Sequence, residues 1–406
     1  MNPILEIFSQ GEEIVTGQTV DTNATWLSQQ AVACGFTVTR HTVVGDKLDD
    51  LIALLQDIAQ RADCCICTGG LGPTSDDLTA LAVAYAFDRP LIFDDIAYAQ
   101  ISRFFTNRNR TMPESNRKQA MLPHGSERID NDWGTAPGFA LKHERCWFVF
   151  LPGVPTEMKH LFQDSVLPTL SAHFSLRPGL LVTIKTLGLG ESAIQELINP
   201  IVIPEPVQLG FRAGADDVQT KLLFPPDYPK AAMTALVAEF AEQLGDYVFA
   251  IDGLGEITGD LVFEIDKLMT AGKFTLAVME TASHGLLAAK CVGSEWLLSA
   301  SYEQATAGSD ATADAETLIS TALAMAVERQ KSSGADLILV QLYAGDKQCL
   351  HDKNKSIVVY NALLTGNGFQ QSTHSIAGPI KRKQNQAALL ALDLLRRYLQ
   401  DISSPL

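Results

Sequence analysis

The chain reads as an α/β protein, and three observations carry that reading. Apolar, strand-like runs alternate with helix-period segments through its first block. Glycine- and proline-rich turns close several of those runs, as in "CTGGLGPTSDDLTALA" (residues 67–82) and "LPGVPTE" (151–157). With 46% hydrophobic and 19% charged residues over 406 positions, the composition suits substantial cores rather than disorder.

The elements follow in order. "ILEIF" is a first strand, and "DTNATWLSQQAVACG" is a helix with Asp21 as its N-cap and Gly35 as its stop. "FTVTRHTVV" is a second strand. In "DKLDDLIALLQDIAQRA", Leu48, Leu51, Leu55 and Ile58 recur at helical period. "DCCIC" is a third, buried strand that runs into the glycine loop; its Cys64, Cys65 and Cys67 read as core, since no distant cysteine pair completes a metal set. Strands joined by crossover helices imply a parallel sheet covered on both faces, with ligands beyond the C-terminal strand ends. The block continues through "SNRKQAMLP" and "GTAPGFAL" to the strand, turn and helix of "CWFVFLPGVPTEMKHLF".

After the linker-like "SLRPGLL", the segments "LVTIKTLGLGESAIQELI", "VQLGFRAG", "VQTKLLFP" and "PKAAMTALVAEFAEQLG" suggest a small α+β unit. A third block repeats the strand–turn–helix pattern in "KFTLAVMETASHGLLAAKCV" and ends in the amphipathic helix "NQAALLALDLLRRYL". The expected domains are therefore 1–168, 178–252 and 255–402, without solenoid repeats or low-complexity tracts.

A net charge of −16 argues against nucleic acid or an anionic membrane as partner. Seven cysteines, an odd number scattered through apolar runs, make a poor disulfide framework. No run reaches membrane-spanning length and the start lacks a leader pattern, so a cytoplasmic location is expected.

The glycine loop holds the chemistry. Gly69, Gly70 and Gly72 let backbone amides approach an anion, and Thr74 and Ser75 supply hydroxyls. Asp76 and Asp77, expected at the start of the next helix, have two readings. They complement the helix dipole, or they hold a divalent cation beside a phosphate. No lysine follows the glycines, so this is not a P-loop. The same rim gathers Glu12, Glu13, Asp21 and Asn23 after the first strand, Asn116, Arg117 and Gln119 from "SNRKQAMLP", Gly134 and Thr135 from "GTAPGF", and Pro152, Gly153 and Glu157 from "LPGVPTE".

In sequence order, the patterns "GxExxxGxxxDTNxxxL", "TGGLGPTxDDxT", "NRxQAxxP", "GTAPGF" and "PGVPxE" resemble the amino-terminal domain of the CinA (competence/damage-inducible) family. That domain is itself similar to molybdopterin-binding MoaB/MogA domains. The segment "LGLGES" resembles the family's KH-like α+β domain, so the whole chain looks CinA-like. The resemblance implies a divalent-metal-dependent (Mg, Mn or Co) ADP-ribose pyrophosphatase that releases AMP and ribose 5-phosphate. It further implies a homodimer acting on a small-molecule nucleotide. Asp76 and Asp77 would then hold the metal, the 69–74 loop would seat a phosphate, and Ser75, Asn23, Asn116, Gly134, Thr135, Pro152 and Gly153 would line the substrate site. Glu13, Asp21 or Glu157 would orient the water, and Arg117 would neutralise charge or meet the ribose. The alternative is a nucleotide- or pterin-binding module without catalysis.

The carboxy-terminal block departs from its relatives. Where the family's nicotinamide mononucleotide amidohydrolase motif resembles "AESCTGGLLAA", this chain reads "METASHGLLAAKC". Glu280 fits, but Thr281 stands at the nucleophile position, Ser283 at a following small position, and His284 at a glycine. Tyr302 matches the family's tyrosine, whereas the activating lysine falls on Ala307; there is no Lys or Arg from Cys291 to Glu328. The substrate turn also differs, reading "VQLYAGDK". A hydroxyl nucleophile needs a base, so the expectation is a retained fold without amidase activity. An active amidohydrolase using Thr281 is the rival reading.

Overall fold

The computed structural model describes residues 2–303, 315–344 and 347–402. The chain divides into two compact units, Met1–Gly179 and Leu180–Leu406.

In the first unit a six-stranded sheet runs, in spatial order, Thr37–Val44, Ile4–Gln10, Cys64–Thr68, Cys146–Leu151, Gly138–His143 and Glu127–Ile129. The first four strands are parallel. Side chains alternate between faces, as the period of a strand requires. Phe8, Cys65, Cys67, Phe148 and Phe150 pack toward the helices Leu48–Arg61 and Thr79–Ala86. Leu5, Ile7, Cys64, Ile66 and Val149 pack toward Thr22–Cys34 and Pro155–Leu161. Cys64, Cys65 and Cys67 are buried free thiols, and burial raises the pKa of Cys64 and Cys67.

The sheet is not parallel throughout. Gly138–His143 pairs antiparallel with Cys146–Leu151, because only Glu144 and Arg145 connect them and a two-residue connection can join only antiparallel strands. Glu144 takes the left-handed conformation (φ 50°) that such a turn demands. Elsewhere the sequence signals hold. Asp21 caps Thr22–Cys34 by accepting from Ala24 N at 2.9 Å, and Gly35 stops it at φ 104°. In Leu48–Arg61 the buried positions are Leu51, Leu55, Ile58 and Ala59.

The strand order creates the site. Ile4–Gln10 has Thr37–Val44 on one side and Cys64–Thr68 on the other, so the chain reverses its winding there. Connections leaving in opposite directions open a crevice at the C-terminal ends of the two strands. Gln10 and Gly69 stand at that point.

The second unit carries two sheets. Gln208–Ala213, Val218–Phe224, Leu180–Thr186 and Val248–Asp252 form an antiparallel four-stranded sheet, backed by the helices Glu191–Ile198 and Lys230–Leu244. Leu297–Tyr302, Leu276–Glu280 and Leu337–Ala344 are parallel, and the hairpin Ile357–Thr365/Gly368–Ile376 extends them antiparallel. The helix Ile380–Leu399 buries Ala387, Ala388, Ala391, Leu392 and Leu395. Its fully buried Arg396 donates to Asp246 O at 2.8 Å and Asp393 Oδ1 at 2.8 Å, tying the two sheets into one unit. Among the described residues no helix is long and apolar enough to cross a membrane.

Candidate functional site

A cleft of about 480 Å³ opens at the strand reversal of the first unit. Gln10 is its organiser. This residue ends the first strand and is only 4% exposed. Its Nε2 donates to Asp46 Oδ1 at 2.8 Å and to Asp76 O at 3.0 Å, while its Oε1 accepts from the Thr79 hydroxyl. The Thr79 hydroxyl also lies within reach of Gly69 O, at 3.0 Å, and its own amide donates to Gly70 O at 3.2 Å. The glycine loop is thus pinned from beneath, its backbone toward the cleft. Gly69 and Gly70 adopt φ 100° and 66°, open to glycine at little cost.

Asp76 and Asp77 do not lie in the first helical turn, because the helix begins at Thr79. Asp77 Oδ2 accepts from Thr74 N at 2.8 Å and from the Thr74 hydroxyl, and Lys118 Nζ holds Thr74 O. These bonds keep residues 74–77 as a turn. Both aspartates line the cleft with Gly69, Gly70, Gly72 and Glu13. Thr74 and Ser75 stand outside its lining.

In the wall beside Gly69, Asn23 Nδ2 donates to Gly153 O at 2.8 Å and Thr68 Oγ1 at 3.2 Å, joining the "DTN" and "PGVP" turns. The Asn23 Oδ1 is buried without a hydrogen-bond partner among the described residues. Pro152, Gly153 and Thr135 line this wall, as does Asp21, although one Asp21 oxygen is committed to its cap.

Glu157 occupies the first turn of Pro155–Leu161. Its Oε2 accepts from Asn131 Nδ2 at 2.7 Å. Asn131 also donates to Ala136 O at 2.8 Å and accepts from Gly134 N at 3.0 Å, so one buried amide shapes the loop and orients the carboxylate. Gly134 lies against the Glu157 carboxylate rather than in the cleft, and a side chain there would collide with it. Burial pushes the Glu157 pKa above its ordinary value, opposed by the Asn131 hydrogen bond.

Asn116 and Arg117 do not join this group. Asn116 is buried and donates to Gln119 Oε1 at 2.8 Å; Gln119, which donates to Leu71 O at 3.2 Å, is the one that reaches the cleft. The Arg117 guanidinium lies 4.5 Å over the Phe93 ring. The sequence reading missed Gln10, Asp46, Thr79 and Asn131. For Gln10 and Asp46 a signal existed, since each stands at or just past the C-terminal end of a parallel strand.

Among the described residues no three His, Cys, Asp or Glu side chains converge as a metal cage. The cleft lining nevertheless offers anionic oxygens, those of Asp46, Asp76 and Asp77 among them. Such a set fits a hard cation that keeps much of its water and shares substrate oxygens, as magnesium does.

A family model described as "Probable molybdopterin binding domain" matches residues 6–172. A CinA-like protein of Escherichia coli is 35% identical over 410 residues, spanning 98% of this chain and 95% of the relative. The chain belongs to the CinA-like family. A CinA-like protein of Shewanella baltica is 37% identical over 290 residues, 71% of this chain and 67% of its own length. A solved structure described as the protein CinA with unknown function, from Thermoplasma acidophilum, is 30% identical, with a TM-score of 0.39 over 41% of this chain and 98% of its own.

In this CinA-like chain the residues of the "METASHGLLAAKC" segment are hydrogen-bonded to one another and to Gln341. The buried Glu280 carboxylate accepts from Gly285 N at 3.0 Å, Leu287 N at 3.1 Å, Ala288 N at 3.0 Å and the Ser283 hydroxyl, capping the helix Leu286–Lys290. Gln341 accepts from Ser283 N at 2.9 Å and donates to Ala387 O at 2.9 Å. Thr281, 3% exposed, spends its hydroxyl proton on Gln341 O at 3.0 Å. Tyr302 is 43% exposed beside the ring of His284, 5.1 Å away. Ala307 lies outside the described residues. No ammonia release from nicotinamide mononucleotide is therefore expected, and Thr281→Ser should not restore it, because the hydroxyl still faces a backbone carbonyl with no base beside it. Deamidation by the unaltered chain that disappears in Thr281→Ala would overturn this.

Gly70 offers a second check. A Cβ there would meet the side chains of Gln10 and Thr79, not empty cleft. Gly70→Val is expected to cost about 1–3 kcal/mol through the left-handed backbone and overpacking, and the displaced loop should weaken ADP-ribose binding by about a hundredfold. Wild-type affinity in calorimetry would mean the loop does not touch the ligand.

Proposed function

We propose that the first unit hydrolyses the diphosphate of ADP-ribose to AMP and ribose 5-phosphate with the help of a divalent ion. The observation that carries this reading is that one cleft is lined both by the glycine loop with Asp76 and Asp77 and by Glu157, a half-buried carboxylate of raised proton affinity. Water adds to one phosphorus, the bridging P–O bond breaks, and the water proton passes to a carboxylate. Of the three candidates, Glu157 suits that role best. Asp21 is spent on its cap, and Glu13 is exposed and folds back over Gly11. Asn131 holds Glu157 in place. The loop amides at 70–72 seat a phosphate, since that of Gly69 is already given to Leu151 O. A divalent ion, held by Asp76 and Asp77 (Mg, Mn or Co), supplies charge neutralisation on the diphosphate. The family resemblance also supports a homodimer.

The test is a screen of nucleoside diphosphate sugars against Mg²⁺, Mn²⁺ and Co²⁺, with AMP release as the readout. Metal-stimulated cleavage of ADP-ribose is expected. Tight binding without turnover under every metal would leave a binding module instead.

A further inference from the structure

A second groove, of about 760 Å³, lies in the second unit and shares no lining residue with the Glu280–Gln341 network. One wall is the edge strand Gly368–Ile376, and the other is one face of the helix Ile380–Leu399, presented by Arg382, Gln386, Leu390, Asp393 and Arg397 at helical spacing. Gly188 and Tyr247, from the part of the unit built on the four-stranded sheet, complete the lining.

The charge of this groove runs against that of the chain. The whole sequence carries −16, yet the groove is lined by two arginines and one described carboxylate, Asp393. Asp393 is already spent, accepting from Arg396 Nε at 2.8 Å and Arg397 Nε at 2.9 Å. Arg382 has no hydrogen-bond or ion-pair partner among the described residues. Its stem rests over Gly378, a residue at φ 110° where an added Cβ would stand 3.0 Å from Arg382 Cδ. A chain so rich in carboxylates would readily neutralise an exposed guanidinium, yet the one described carboxylate of the groove, Asp393, is taken by Arg396 and Arg397. Tyr247 is 39% exposed, its ring backed by Gly188. Thr373, Ser375 and Gln386 add hydroxyl and amide groups to the lining.

We propose that this groove binds a phosphate monoester attached to a planar ring, a ligand of the mononucleotide class. Arg382 would pair with the phosphate, since a guanidinium meets phosphate oxygens in a fork. Tyr247 offers a ring for stacking, and the hydroxyls and amide suit a sugar. The volume lies within the range of small-molecule sites, about 300–1,000 Å³.

The proposal is independent of the chemistry of the first unit. Its test is calorimetry on the full chain with three probes: AMP, adenosine and inorganic phosphate. AMP is expected to show a binding component that weakens at least about tenfold in both Arg382→Glu and Tyr247→Ala. Phosphate should respond to Arg382→Glu alone, and adenosine should bind less tightly than AMP. Hydrolysis of ADP-ribose should be unchanged in both variants, because neither residue lines the cleft of the first unit. AMP bound at that cleft is untouched by these substitutions, so isotherms superimposable on wild type in both would overturn the assignment. Adenosine binding as tightly as AMP would overturn its phosphate half.

Discussion

Asp77→Asn is expected to lower ADP-ribose turnover by at least about a hundredfold while leaving the fold in place, a typical loss for one preorganised electrostatic group. The substitution is chosen because Asp77 has two jobs in the structure. Its Oδ2 closes the turn by accepting from Thr74 N at 2.8 Å, and its charge faces the cleft. Asparagine keeps an acceptor for Thr74 and removes the charge. Asp77→Ala removes both, and would confuse a loosened loop with a lost cation ligand. With Asp77→Asn, the metal concentration needed for half-maximal rate should rise along with the loss of turnover. Normal turnover with an unchanged metal dependence in Asp77→Asn would remove the metal assignment and leave the residue a turn-former. Asp76→Asn should act in the same direction, since its backbone carbonyl, not its side chain, is what Gln10 holds.

Glu157→Gln is expected to cost about 10²–10⁴ in kcat, the usual worth of general-base assistance. The pH profile separates a base from a structural residue. Burial raises the Glu157 pKa, so its deprotonated form is reached at higher pH than for an ordinary glutamate. Activity that depends on this base should therefore rise with pH through that elevated value, and the limb should vanish in Glu157→Gln. Stability runs the other way. The folded protein holds this proton more tightly than the unfolded chain, so the contribution of Glu157 to stability falls as pH rises from the unfolded to the folded pKa. Glutamine should thus be tolerated at neutral pH. It keeps an acceptor for Asn131, and the buried charge is gone. An unaltered acidic limb in Glu157→Gln would pass the role of base to another carboxylate.

Local signals made much of the first unit legible. Helical periodicity placed Leu51, Leu55 and Ile58 in the core, and Asp21 and Gly35 marked the ends of their helix by the chemistry of caps. The glycines announced a close approach. Other features needed partners far away in sequence. The antiparallel edge at Gly138–His143 depended on a turn with no Asn–Gly signature, and the hairpin at residues 357–376 went unread despite its "TGNG" turn. Asn116 looked like a rim residue because it sits in a motif, yet its amide is consumed inside the fold by Gln119.

The residues themselves determined that a glycine loop with two aspartates follows a buried strand, that the chain is acidic, and that Thr281 is followed by no Lys or Arg from Cys291 to Glu328. Those are facts of order and type, and local sterics and charge suffice to read them. Tertiary structure alone decided which carboxylate is half-buried and which is committed to a cap, that Gln10 underpins the loop, and that Gln341 holds Ser283. It also left Arg382 without a counter-ion among the described residues of an acidic chain. Each of these depends on hydrogen bonds or burial between segments dozens of residues apart, and a side chain's proton affinity or free valence is set by what the fold places beside it.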